Sequence, residues 1–295
     1  MANKIIFYIR ALFHESIMPG SEKSNKPDKL KLVEAFNKYS GITVQEYRKQ
    51  VHEIQLKCIK NISDRIIYNR AQENLNRKFN YSYCILQKDT LEILKSINED
   101  DLVIPLDDDD WLSPEIKNLN FVEGSFNGWN TISFCHSNPS NIRIFHHVKN
   151  IPLPYKLESD LEIKRSQGWL SNCQCIPGFV IKRLLEESQI DVLQQLLQRH
   201  SRVRGLIREE PMINWNLKEH FFDDVLAIYV RHAANITLLD SLSIFNQENN
   251  YTKEVYDKTV RQFKLADYDN IKDLPENLKW CLPYLQDLKQ LNNLL

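Results

Sequence analysis

The stretch Leu102-Val103-Ile104-Pro105-Leu106-Asp107-Asp108-Asp109-Asp110-Trp111-Leu112-Ser113-Pro114-Glu115 runs an apolar segment straight into four aspartates. Its opening residues suit a buried strand, and Trp111 and Pro114 suit the first turn of a following helix. A strand thus delivers a carboxylate cluster into a turn. Neighbouring carboxylates repel one another, so such a run is tolerable when it is solvated, or when a bound cation or hydrogen-bond donors neutralise it. A solvated surface turn and a hard-cation site both fit the aspartates alone; the organised flanks on both sides favour the cation.

Outward from this turn, the pattern alternates between strand and helix. Lys4 to Ile9 reads as a buried first strand, and Pro19 to Pro27, rich in Gly, Ser, Asn and Lys, as a loop. From Leu30 to about Asn76 the spacing of Leu32, Val33, Phe36, Ile54, Cys58, Ile59 and Ile62 predicts helix, interrupted near Ser40-Gly41. Tyr81 to Leu86 is a second strand candidate, and Thr90 to Asn98 a short helix feeding the acidic run. The alternation predicts an α/β fold, with the carboxylates at a strand's carboxyl end, where open α/β sheets bind ligands.

After the turn, Thr131 to Cys135 and Asn141 to His147 read as a hairpin around Asn138-Pro139-Ser140-Asn141. Ser171 to Val180 reads as extended, broken by Pro177-Gly178, and Ile181 to Arg199 as one strong helix. Residues 254 to 295 read as helical. Leu285, Leu288, Leu291, Leu294 and Leu295 behind Pro283 suit a packed terminal helix, a homodimer contact or a peripheral contact with a membrane surface. The expected division is a catalytic domain over 1–240 and a helical C-terminal extension over 241–295.

Composition excludes several classes. A formal net charge of -1 over 295 residues, with no long basic run or zinc-finger spacing, argues against a nucleic-acid partner. The apolar run Ile5 to Ile9 is too short to span a membrane and Arg10 interrupts it, so the expected location is cytoplasmic with no transmembrane segment. Six scattered cysteines predict thiols rather than a disulfide scaffold or zinc ribbon, with Cys173 and Cys175 on one face of a strand. Adjacent His146 and His147 point to opposite strand faces and make no metal site by themselves.

The segment Leu106 to Glu115 resembles the strand-end metal motif of GT-A glycosyltransferases, especially family 2-like inverting enzymes with an L-D-x-D-D-x-L-x-P pattern. The resemblance implies a GT-A-like, Rossmann-related mixed sheet flanked by helices. It also implies a DXD site for Mn²⁺ or Mg²⁺ and a nucleotide-sugar donor, with a glycan, lipid-linked or peptide acceptor. Asp109 matches the carboxylate that touches the metal. Asp107 matches the one nearer the ribose or a metal-bound water, Asp110 the acid that braces the turn, and Asp108 the variable position on the nucleotide side. Transfer of a hexosyl group needs the leaving diphosphate neutralised, which suits an oxygen-ligated Lewis acid.

An inverting enzyme of this kind needs a base beside the acceptor hydroxyl. Glu209 and Glu210, before Pro211 and a helix expected from Met212 to Leu217, are the first candidates, with Glu210 preferred; Asp223 and Asp224 follow. Acids at a helix N-terminus also have a purely structural use. The segment Tyr229 to Thr237 resembles the family's late segment, implying His232 near the metal or diphosphate and Arg231 on phosphate oxygens, a job a guanidinium does with two donors at once. Arg10, after the first strand, is a further candidate for nucleotide contact. The competing reading is a Mg²⁺-dependent phosphatase of the haloacid-dehalogenase type, with Asp107 as nucleophile, Asp109 as acid and base, and Phe221-Phe222-Asp223-Asp224 as its late acidic motif. A third is a non-catalytic protein that binds metal or nucleotide.

Overall fold

The computed structural model describes residues 4–11, 29–70, 86–134, 142–145, 174–197, 215, 217–230, 232–234, 252–254, 256–257 and 276–295. These build a mixed α/β fold around one eight-stranded sheet.

Strand β1 (Ile5–Ala11) is buried along its whole length, as the apolar run Ile5 to Ile9 predicts for a parallel strand covered on both faces, and Arg10 is buried with it. It pairs in parallel with β2 (Arg65–Arg70) on one side and β3 (Leu102–Asp107) on the other. β7 (Gln174–Pro177) runs antiparallel to β3 and to β5 (Ser125–Phe134), and β5 is parallel to β8 (Lys218–Tyr229). The two-residue β4 (Trp111–Leu112) closes the far edge on β8, and β6 (Ile142–Phe145) pairs antiparallel with β5, giving the order β2-β1-β3-β7-β5-β8-β4. In this order β2 lies on one side of β1 and β3 on the other, so the chain changes direction across the sheet between β1 and β3. The crevice at the carboxyl ends of such strands is where open α/β sheets take ligands.

Pro105 lies inside β3, where a residue without an amide proton is ordinarily excluded. Pairing with β7 is limited to Leu102 and Val103, so Pro105 and the acidic end lie past the last β7 partner and keep only β1 alongside.

Helices α1 (Lys29–Tyr39) and α2 (Val44–Ile59) follow β1; α3 (Lys88–Leu94) precedes β3; α4 (Gly178–Glu186) and α5 (Ile190–Leu196) follow β7; α6 (Leu282–Asn292) is last. Thr43 caps α2 by accepting from the Glu46 amide at 3.1 Å. A side chain at Gly178 would put its Cβ 2.0 Å from the Asn98 carbonyl oxygen, so the start of α4 admits only glycine against the turn before β3. On α6, Leu285, Leu288 and Leu291 are buried in the same core as α2, and Leu294, just past its end, is exposed. The Gly41 amide donates to the Leu294 carbonyl at 2.9 Å. Among the described residues, no helix is long and apolar enough to cross a membrane.

Three expectations change. The helical reading of 30–76 ends at Ile59: residues 65–70 are β2, whose Ile66-Ile67-Tyr68 centre favours an edge strand with alternating burial. The single helix expected over 181–199 is two, because Ser188 adopts φ 56°, with its amide donating to Leu185 and the Gln189 amide to Leu184, which terminates α4. The helix expected over 212–217 does not include its described members, since Trp215 lies in a turn and Leu217 in irregular chain before β8. Of the strand expected at 81–86 only Leu86 is described, in irregular chain before α3; the loop at 19–27, the hairpin's turn and His146-His147 lie outside the described residues.

Candidate functional site

The end of β3 brings one carboxylate oxygen each from Asp107, Asp109 and Asp110 within 4.8 Å of one another. All three residues are nearly buried: Asp107 and Asp109 are 9 % exposed and Asp110 is 1 %. Asp110 braces the turn, its Oδ2 accepting from the Asp107 amide at 3.2 Å and its own amide donating to the Asp107 carbonyl at 3.4 Å. The site is therefore a folded acidic turn, not a solvated run.

Each carboxylate draws support from a different element. Arg10 stands opposite Asp107 in the β1–β3 register, and its guanidinium nitrogen lies 2.6 Å from Asp107 Oδ1. Arg10 is 1 % exposed, which makes this a buried ion pair. His232, just after β8, lies with Nε2 3.0 Å from Asp109 Oδ2. The Ala234 amide donates to His232 Nδ1 at 3.2 Å, so the other ring nitrogen carries the proton and donates to Asp109. In this arrangement His232 orients Asp109, the role an outer hydrogen-bond partner plays toward a metal-binding group.

Helix α2 lies behind both halves of the site. Arg48 donates to the Ala234 carbonyl at 3.4 Å, and the Tyr47 ring meets the His232 ring at a centroid distance of 5.7 Å. The Tyr47 hydroxyl donates to Asn292 Oδ1 at 2.5 Å, tying α6 into the same network. Gln55 donates to the Asp107 and Asp110 carbonyls at 2.5 and 2.8 Å, and His52 Nδ1 lies 3.2 Å from the Asp108 carbonyl. Burial lowers the His52 pKa from its ordinary value of 6.5, against the raising effect of its acceptors Asp108 and Gln55 and the charge of Asp109.

A donor set made wholly of carboxylate oxygens fits a hard cation such as Mg²⁺ or Mn²⁺ and does not suit a thiophilic one. One guanidinium against three carboxyl groups also leaves charge for a cation to balance. The described thiols stand apart in chemistry: burial pushes Cys58 and Cys281 up to about 12 and raises Cys175 further, so none is poised as a nucleophile or soft ligand.

The late acidic pair is different. Asp223 and Asp224 are exposed on β8, and neither joins the metal-spaced trio. Glu209, Glu210 and Arg231 lie outside the described residues. Asp108, by contrast, is part of the turn and only partly buried. The supporting residues Arg48, His52 and Gln55 were not anticipated from the sequence. Their trace there is a polar series at helical spacing, one face of α2, between the apolar positions Val44, Tyr47, Val51, Ile54 and Cys58.

Comparison with protein-family models, curated proteins and solved structures gives no significant match.

Proposed function

We propose that this chain is a metal-dependent glycosyltransferase of GT-A type, moving a sugar from a nucleotide-sugar to an acceptor with inversion. The observation that carries the reading is the convergence of Asp107, Asp109 and Asp110 at the carboxyl end of β3, beside β1, the end of an open α/β sheet at which ligands bind. The L-D-x-D-D-x-L-x-P resemblance of Leu106 to Pro114 supplies the reaction class.

In this reading Asp109 and Asp107 hold the cation, with Asp110 completing the trio and keeping the turn closed. His232 donates to Asp109 and fixes its orientation, while Arg10 pairs with Asp107 from the neighbouring strand β1. Mn²⁺ or Mg²⁺ would supply Lewis acidity toward the leaving diphosphate. The proton of the acceptor hydroxyl goes to a carboxylate base, assigned to Glu210, with Glu209, Asp223 and Asp224 as alternates. Arg231 and Asp108 belong on the nucleotide side. The catalytic domain spans 1–240, with 241–295 as its helical extension, and the acceptor is a glycan, a lipid-linked sugar or a peptide.

A phosphatase of the haloacid-dehalogenase type would need Asp107 as a nucleophile, and here that carboxylate is engaged by a buried guanidinium. The deciding experiment is a thermal-shift screen of nucleoside diphosphates and nucleotide-sugars with and without Mn²⁺, since a ligand that binds the folded state raises the melting temperature by mass action. A Mn²⁺-dependent rise with a nucleotide-sugar supports the transferase. A phosphoryl or beryllofluoride adduct on Asp107, with no response to any nucleotide-sugar, sinks it.

A further inference from the structure

Gln55 is fully buried on α2, and its side chain both meets His52 one turn earlier on the same helix and reaches across to the acidic turn. Carbonyl oxygens only accept, so the Gln55 amide nitrogen must face those of Asp107 and Asp110, and its oxygen is left to accept. His52 Nδ1 lies 2.9 Å from that oxygen and 3.2 Å from the Asp108 carbonyl, so this ring nitrogen carries a proton. His52 Nε2 then accepts from the Tyr68 hydroxyl at 3.2 Å. Every donor in the series has an acceptor, from half-buried Tyr68 in the middle of β2 to the turn itself. A neutral His52 is also what its burial favours.

We infer that Gln55, oriented by His52 and Tyr68, is the positioning residue that sets the spacing of the carboxylates in the Asp107–Asp110 turn. The inference rests on that turn being a cation site. Its physical content is that the carbonyls at both ends of the turn are fixed to one rigid helix, so the carboxyl groups of the same residues inherit a fixed spacing. An apolar residue of similar size would fill the space and leave both carbonyls without these donors. Ion selectivity follows from the same argument: Mg²⁺-sized ions demand near-ideal octahedral geometry, whereas Ca²⁺ tolerates irregular, flexible ligands.

The test is Mn²⁺ binding to the full chain, followed by electron paramagnetic resonance, with Ca²⁺ competition giving the affinity ratio of the two ions. Gln55→Met should weaken Mn²⁺ binding by about 10- to 100-fold, the usual consequence of losing an outer partner of a metal site. Ca²⁺ binding should fall less, so the Mn²⁺ to Ca²⁺ ratio narrows, whereas a role in packing alone would leave the ratio in the folded protein unmoved. Should Gln55→Met fail to fold, Tyr68→Phe takes its place. That change removes only the outer hydroxyl and should narrow the ratio by about two- to fivefold, the effect of one neutral hydrogen bond. Wild-type protein that binds no Mn²⁺ would overturn the cation reading beneath the inference. Wild-type binding with an unchanged ratio in the variant overturns the inference and leaves that reading standing.

Discussion

Two runs of adjacent aspartates, Asp107 to Asp110 after β3 and Asp223-Asp224 within β8, carry the same side chains into opposite surroundings. The first is enclosed by Arg10 from β1, His232 from the segment after β8, and Gln55 and His52 from α2. The second sits where the register of β5 and β8 slips, passing from Gly128 opposite Phe221 to Asn130 opposite Val225. A bulge of this kind leaves successive residues without regular partners, and both aspartates face solvent. The engagement there is with the main chain, the Asp223 carbonyl accepting from Asn130 Nδ2 at 2.7 Å. Side-chain chemistry does not distinguish the two runs. The supply of buried donors does.

The largest effect should come from taking a donor away from the enclosed run. Arg10→Met leaves Asp107 buried without its guanidinium and should cost about 3–5 kcal/mol of folding stability, read from chemical denaturation. A loss as small as that of a surface ion pair would mean the enclosed run is as well hydrated as the exposed one, and the contrast would collapse. Next, Asp109→Ala should abolish Mn²⁺-dependent nucleotide binding in calorimetric titration, a loss beyond the roughly 100-fold ceiling seen for outer partners. Unchanged affinity would remove Asp109 from the site.

His232→Ala should weaken Mn²⁺ binding by about 10- to 100-fold while leaving some binding, because His232 acts through Asp109. Complete loss would instead make the imidazole a direct ligand.

A smaller effect concerns pH. His52 titrates below its ordinary 6.5 in the folded protein, so the unfolded chain binds more protons as the pH falls. The stability from its neutral burial is fully present above 6.5 and is lost as the pH drops from there toward the lowered folded pKa. The melting temperature of the wild type should therefore fall more steeply below pH 6.5 than that of His52→Gln. Parallel curves would show that the ring is hydrated. Smallest of all, Asp224→Ala should change stability by no more than about 0.5 kcal/mol and leave Mn²⁺ binding intact, as for an ordinary surface position.

How much of this was legible in the sequence depended on how local the cause was. The buried run of β1 and the apolar approach to Asp107 are written in consecutive residues, and they gave the α/β class and the strand-end carboxylates directly. The partnership of Asp109 with His232 was suggested only by a second motif far along the chain, since nothing local joins them. The sequence does not mark β2 because Ile54, Cys58, Ile59 and Ile62 keep a helical spacing through the turn that ends α2, up to the strand's edge. Ser188 hid a helix break because its neighbours remain apolar at helical intervals on both sides. Gln55 and His52 were overlooked for another reason. A polar residue on an apolar helix face has no meaning until its acceptors are known, and those acceptors are main-chain carbonyls that no sequence pattern marks.

Trp111 follows Asp110 directly, is fully buried, and lies with its ring centroid 5.8 Å from that of Tyr284 on α6. Indole emission is sensitive to nearby charge, so the acidic turn has a natural fluorophore one residue from its last carboxylate. A cation entering the turn changes the field at that ring without any dye or label being attached. Subtracting the emission of Trp111→Phe isolates this signal from the other tryptophans, making the occupancy of the turn something that can be followed by light in solution.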